Sequence, residues 1–151
     1  MLCGWVDVVD ASCSSLLYAL RLLCEHGLRT SLHDVFCATV VSKILYCAPA
    51  WYGFSSAAHL NKLESFVRRC KWSGYCKQDM PTITEQMDDA DNSLFHSIIA
   101  NKHHVLHSYL PDNPDSGYNF RPRRHNRILT DKTTDLNTRN FLLRTLYKNC
   151  Y

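Results

Sequence analysis

Three groups of residues in this 151-residue sequence carry side chains that could do chemistry. The first is Gln86-Met87-Asp88-Asp89. Adjacent aspartates can hold divalent metals when a tight turn between hydrophobic strands presents them beside a third carboxylate. Here the upstream residues Thr82-Ile83-Thr84-Glu85 read as a helix start, and Leu94, Phe95 and Ile98 continue at helical spacing. Acids in a first helical turn complement the helix dipole. The pair is expected on a helix, so no catalytic residue is assigned.

The second group is His103, His104 and His107, of which 103 and 107 share a helical face. With Cys70 and Cys76 they make the pattern C-x5-C-x26-H-x3-H. That cysteine spacing exceeds the two to four residues usual in structural zinc sites. Position 104 is His, not Glu, so the pair is not the H-E-x-x-H of a metalloprotease. Zinc stays open as an alternative, with solvated or capping histidines favoured and no metal assigned. The third group, Tyr118-Asn119-Phe120-Arg121-Pro122-Arg123-Arg124-His125-Asn126-Arg127, interleaves aromatics with four arginines. Guanidinium forks pair with phosphates and exposed aromatics stack on unpaired bases. The same arginines could instead meet the acids at 85–91, and the two roles are compatible. No phosphate-cradling loop, G-x-G-x-x-G or Ser-His-Asp set occurs, and no cofactor is expected.

The elements that must position these groups read as helix after helix. Val9, Cys13, Leu16, Leu17, Leu20, Leu23 and Cys24 form one stripe, ended by Gly27. Ser31 and Asp34 resemble a capping box before a second stripe of Leu32, Val35, Phe36, Thr39, Val40 and Ile44. Pro49 is expected to stop that helix, leaving an aromatic turn over Tyr46 to Phe54. Ser55 or Ser56 then caps a third helix with Leu60, Leu63, Phe66, Val67 and Cys70 inward, ending at Gly74. Thr82 and Glu85 cap a fourth, with Ile83, Met87, Ala90, Leu94, Phe95, Ile98 and Ile99 inward and Asn101 near its end. A short turn over His104 to Leu110 precedes a loop marked by Pro111, Pro114, Gly117 and Pro122, and Asn137 or Asn140 caps a last helix, Phe141 to Tyr147. Strand signals are nearly absent. The expected fold is all-α: a bundle of four to five helices over 1–110, then an irregular basic extension over 111–151 with a short C-terminal helix.

Charge is segregated along the chain. The net value is −1 over residues 1–67, +4 over 68–77, −5 over 78–92, +1 over 93–110 and +4 over 111–151, for a total of +3. Arg68, Arg69, Lys71 and Lys77 make the first basic block, and Arg121, Arg123, Arg124 and Arg127 lead the second. Such blocks can engage a polyanion without making the whole protein strongly basic. Eight cysteines without a C-x-x-C read as reduced core residues. The longest unbroken apolar run, residues 44–54, falls short of a membrane span, and the first ten residues lack a basic start. An intracellular protein, nuclear or cytoplasmic, is expected.

Several tracts in order resemble the C-terminal, post-catalytic region of reverse transcriptases from LINE-type, jockey-like non-LTR retrotransposons. They are Ser15-Leu16-Leu17-Tyr18-Ala19-Leu20-Arg21 with His26-Gly27-Leu28, Ala38-Thr39-Val40, Lys43-Ile44-Leu45-Tyr46, and Pro49-Ala50-Trp51-Tyr52-Gly53-Phe54. Leu63-Glu64-Ser65-Phe66-Val67-Arg68-Arg69, Ala100-Asn101-Lys102-His103-His104-Val105-Leu106-His107 and the Tyr118–Arg127 segment follow. The resemblance implies a thumb-like helical region followed by a C-terminal extension, with the polymerase active site in fingers and palm that lie upstream. It implies a non-catalytic fragment whose partners are RNA or DNA and the palm domain of the parent enzyme. Arg68, Arg69, Lys71, Lys77, Arg121, Arg123, Arg124 and Arg127 are the candidate nucleic-acid contacts. Met1 to Asp7 reads as an abrupt start, as in a truncated element or gene-model fragment. The alternatives are a helical protein-interaction module and a zinc-binding module.

Overall fold

The computed structural model of the chain describes residues 3–28, 31–113, 125 and 127–148, and of residues 3–11, 13 and 14 it describes the backbone. The fold is all-α, with no strand among the described residues. Two compact units divide at Asp88, within one helix, and the boundary expected at 110/111 falls inside the second.

In the first unit, α1 (Cys3–Glu25) runs longer than its apolar stripe requires. Gly27 ends it with a positive φ of 84°. The Gly27 N–H donates to the Cys24 carbonyl (3.2 Å) and the Leu28 N–H to the Leu23 carbonyl (3.1 Å). This is the paired closure by which a left-handed glycine satisfies the last carbonyls of a helix.

Helix α2 (Leu32–Phe36) passes through a π turn (Cys37–Val41) into α3 (Ser42–Leu45). Ser31 does not cap it as expected: its backbone is already helical, at φ −94° and ψ −1°, and its side chain makes no capping bond. A capping side chain needs an extended residue. The wide turn also shifts the stripe, burying both Val40 and Val41 beside Phe36 and Ile44, where period 3.6 selects Val40 alone.

Pro49 does not stop this helix. The chain turns earlier, at Cys47, which holds φ 52°, and Pro49 sits in the first turn of α4 (Ala48–Trp51). A missing N–H costs nothing there, because no helical acceptor precedes it. The Trp51 indole N–H donates 3.0 Å to the Tyr46 carbonyl and fixes the turn. A 3-10 turn (Tyr52–Phe54) leads on to the next helix. Among the described residues, Leu32–Phe54 is the stretch long and apolar enough by composition to cross a membrane (23 residues, holding an 18-residue window of mean hydropathy 1.3). In this fold its Leu32, Phe36, Val40, Val41, Ile44, Ala48 and Trp51 are core residues.

Helix α5 (Ala57–Trp72) is capped by Ser56, whose hydroxyl accepts from the His59 N–H at 3.3 Å. It buries Leu63, Phe66, Val67 and Cys70 against the same core. The leucine, phenylalanine and valine each contribute about 1.5–3 kcal/mol on burial. Gly74, at φ 75°, closes it as Gly27 closes α1: the Gly74 N–H donates to Lys71 and the Tyr75 N–H to Cys70, both at 3.0 Å.

Helix α6 (Ile83–Ala100) begins with the reciprocal cap that its sequence implies. The Thr82 N–H donates to Glu85 Oε2 (2.8 Å), and the Glu85 N–H donates to Thr82 Oγ1 (3.2 Å). Hydrogen bonding from the Thr82 backbone N–H, and secondarily from its side chain, holds the Glu85 carboxyl below the usual carboxylate range. A third donor, the Ile83 N–H, is taken by Glu64 of α5 at 2.9 Å.

The second unit centres on Phe95, Ile98, Leu110 and Leu146. It contains a 3-10 turn (Val105–Tyr109), α7 (Asp135–Arg139) and α8 (Phe141–Tyr147). Helix α7 has no counterpart in the sequence reading, and Asn137 lies within it. The cap of α8 is Asn140, whose Oδ1 accepts from the Leu142 N–H at 3.0 Å.

Thr82→Ala removes one half of the α6 cap. It is expected to lower stability by about 1 kcal/mol, read as a lower urea midpoint with unchanged slope.

Candidate nucleic-acid interface

The helical period of α5 decides what its C-terminal end presents. With Leu63, Phe66, Val67 and Cys70 turned inward, Arg68, Arg69 and Trp72 are turned out. Residues three and four apart share a helix face, so both arginines stand on the face that carries Trp72. Trp72 is 86% exposed. No ion pair of Arg68 or Arg69 is present among the described residues. An open concavity of about 400 Å³ is lined by Arg68, Arg69, Trp72 and Ser73. A second, of about 460 Å³, shares Arg69 and Ser73 and reaches Tyr18, Arg21 and Tyr75. Arg21 carries an exposed i,i+4 pair with Glu25 at 3.0 Å.

The other two candidates of this block differ from that pair. Lys71 is half-buried: its ammonium donates to the carbonyls of Met80 (2.5 Å) and Gln78 (3.4 Å), and Gln78 Nε2 donates back to the Lys71 carbonyl (2.7 Å). Lys71 thus clamps the loop between α5 and α6 instead of facing solvent. Lys77 is exposed, and its backbone N–H donates to His33 Nδ1 at 3.3 Å.

The second basic block is used differently again. Arg121, Arg123 and Arg124 lie outside the described residues, with the aromatics Tyr118 and Phe120. Arg127 is half-buried; its Nη1 donates to the Pro111 carbonyl (2.8 Å), and its Nη2 lies 3.4 Å from His107 Nε2. His125 is buried edge-on to Phe95, with ring centroids 5.6 Å apart. A carbonyl can only accept and an N–H can only donate, so His125 Nε2 donates to Leu146 O (2.8 Å) and Nδ1 accepts from the Arg127 N–H (3.2 Å). These described members hold the second unit together.

The aspartates of 88–89 stand on α6, not on a strand hairpin. The acid of this segment that meets an arginine is Asp91. It is 1% exposed, and its Oδ2 accepts from Arg144 Nε (3.1 Å) and Nη2 (2.5 Å). The sequence reading missed this pair. Its signal was available: Asp91 stands four residues from both Met87 and Phe95, inside the apolar stripe of α6.

No group of three or more His, Cys, Asp or Glu side chains able to hold a metal occurs among the described residues. Cys70 and Cys76 are buried. Burial pushes the Cys76 thiol up to about 11. His104 caps the 3-10 turn instead, its Nδ1 accepting from the Leu106 N–H at 3.1 Å, and His103 is exposed. Cys47, expected in the core with the other cysteines, is exposed at its left-handed turn.

The Asp91–Arg144 pair generates an asymmetric expectation. Arg144→Met strands a carboxylate in the core and should cost about 3–5 kcal/mol. Asp91→Asn leaves a guanidinium whose side chain is 21% exposed and can rehydrate, so it should cost less. Urea unfolding of both variants checks the order.

Comparison of the chain with family models, curated proteins and solved structures gave no match.

Proposed function

We propose that this chain is a non-catalytic helical accessory region, of the kind found after the catalytic core of LINE-type reverse transcriptases, and that it binds RNA or DNA through charge. The observation that carries the reading is the exposed pair Arg68 and Arg69 at the end of α5, beside concavities open to solvent. Lys77 is exposed nearby in sequence and extends the same charge, and Arg121, Arg123 and Arg124 are further candidates on this reading. Lys71 and Arg127 act indirectly, by fixing backbone. Neutralising phosphates releases condensed counterions, which requires no base-specific contact. The reading assigns no nucleotidyl transfer to this chain and places it inside the cell, in nucleus or cytoplasm, with nucleic acid and the palm of a parent polymerase as partners.

A second reading, a helical module that binds protein, is favoured by one observation. Val105 and Tyr109 of the second unit are 82% and 71% exposed.

Filter binding of single-stranded oligonucleotide across a salt series separates the two. Affinity should fall linearly on logarithmic axes, and Arg68→Ala with Arg69→Ala should flatten the slope by about 1.4, from roughly 0.7 per phosphate contact. No retention at low salt, or a slope unmoved by the double substitution, would contradict the nucleic-acid reading.

A further inference from the structure

The end of α5 is more than a patch of positive charge. Trp72 is the most exposed of the large apolar side chains described, and it stands where a helix end meets a turn. Nothing in its surroundings accounts for it: among the described residues no ring or cation lies over the indole, and the core is complete without it. Arg69 and Arg68 precede it by three and four residues and so share its face of the helix. The concavity that these residues line with Ser73 is about 400 Å³, within the roughly 300–1,000 Å³ of sites that take small ligands.

Resting on the nucleic-acid reading above, we infer that this corner is a stacking site for an unpaired nucleotide, its base lying on Trp72 and its flanking phosphates on Arg68 and Arg69. Two chemistries have to be met together here, a large π face and two forked cations. An acidic protein segment would satisfy only the cations. A nucleic-acid duplex keeps its base faces stacked inside and offers Trp72 only its backbone. A single strand offers both the face and the charge, and aromatic stacking on it tolerates any base. Tyr18 and Tyr75 line the adjoining concavity, which shares Arg69 and Ser73, and so give a neighbouring nucleotide a second ring to meet.

The test is fluorescence anisotropy of the full chain with a labelled oligothymidine of roughly 15 nucleotides, the corresponding duplex, and polyglutamate as competitor. The parent should prefer the single strand to the duplex, and polyglutamate should compete poorly. Trp72→Ala should weaken single-strand binding about five- to a hundredfold with an unchanged salt slope, and Trp72→Phe should restore most of it. Because the indole is exposed, the melting temperature of both variants should match the parent, which keeps a loss of binding from being a loss of fold. Single-strand affinity unaffected by Trp72→Ala, equal binding of duplex, or full competition by polyglutamate would overturn the stacking site while leaving charge-driven binding intact. No binding of any oligonucleotide by the parent would overturn both.

Discussion

The outward surface of this protein is set by what α5 must bury. Leu63, Phe66, Val67 and Cys70 are wanted in the core by the hydrophobic effect, and the helix is pinned at both ends, by Ser56 at its start and by the left-handed Gly74 at its close. With phase and length fixed, Arg68, Arg69 and Trp72 have nowhere to go but solvent. The loop beyond is tied down independently. Lys71 holds the carbonyls of Gln78 and Met80, and Glu64 takes the first N–H of α6. The candidate interface is therefore built on a rigid element whose phase the core dictates.

The second unit shows how a charge count misleads. Residues 111–151 are as basic in sum as residues 68–77, yet three of the described cations there serve the fold. Arg144 meets buried Asp91, Arg127 meets a backbone carbonyl, and Lys132 lies 3.8 Å from the centroid of the Tyr147 ring, whose hydroxyl in turn donates to the Thr130 carbonyl (2.7 Å). Arg139, in an exposed i,i+4 pair with Asp135, is a surface feature of ordinary kind. A basic block is a polyanion surface only where its charges are not already spoken for.

What could be read in the chain was local. The all-α class, the stripes of α5 and α6, the Thr82–Glu85 cap and both glycine closures follow from residue spacing, because each depends on residues within a turn or two. Tertiary demands escaped it. The π turn at Cys37–Val41 and the turn at Cys47 reflect how that segment must pack, which no period reveals. Lys71 looked like a surface cation because its carbonyl partners lie in a loop seven and nine residues on. Asp91 was counted among helix-start acids, although its position in the apolar stripe marked it as buried. Trp72 stands two residues past Cys70, off the apolar stripe of α5, so periodicity assigns it no place.

Photo-crosslinking addresses the central claim most directly. An oligonucleotide bearing a photoreactive thymine analogue would be irradiated with the full chain at low salt, and the adducted peptides mapped by mass spectrometry. If the end of α5 is where nucleic acid is held, adducts should fall on the tryptic peptide of residues 72–77, which contains Trp72 and Tyr75, and vanish as salt rises. Adducts confined to residues 89–151, or none at all, would contradict the account.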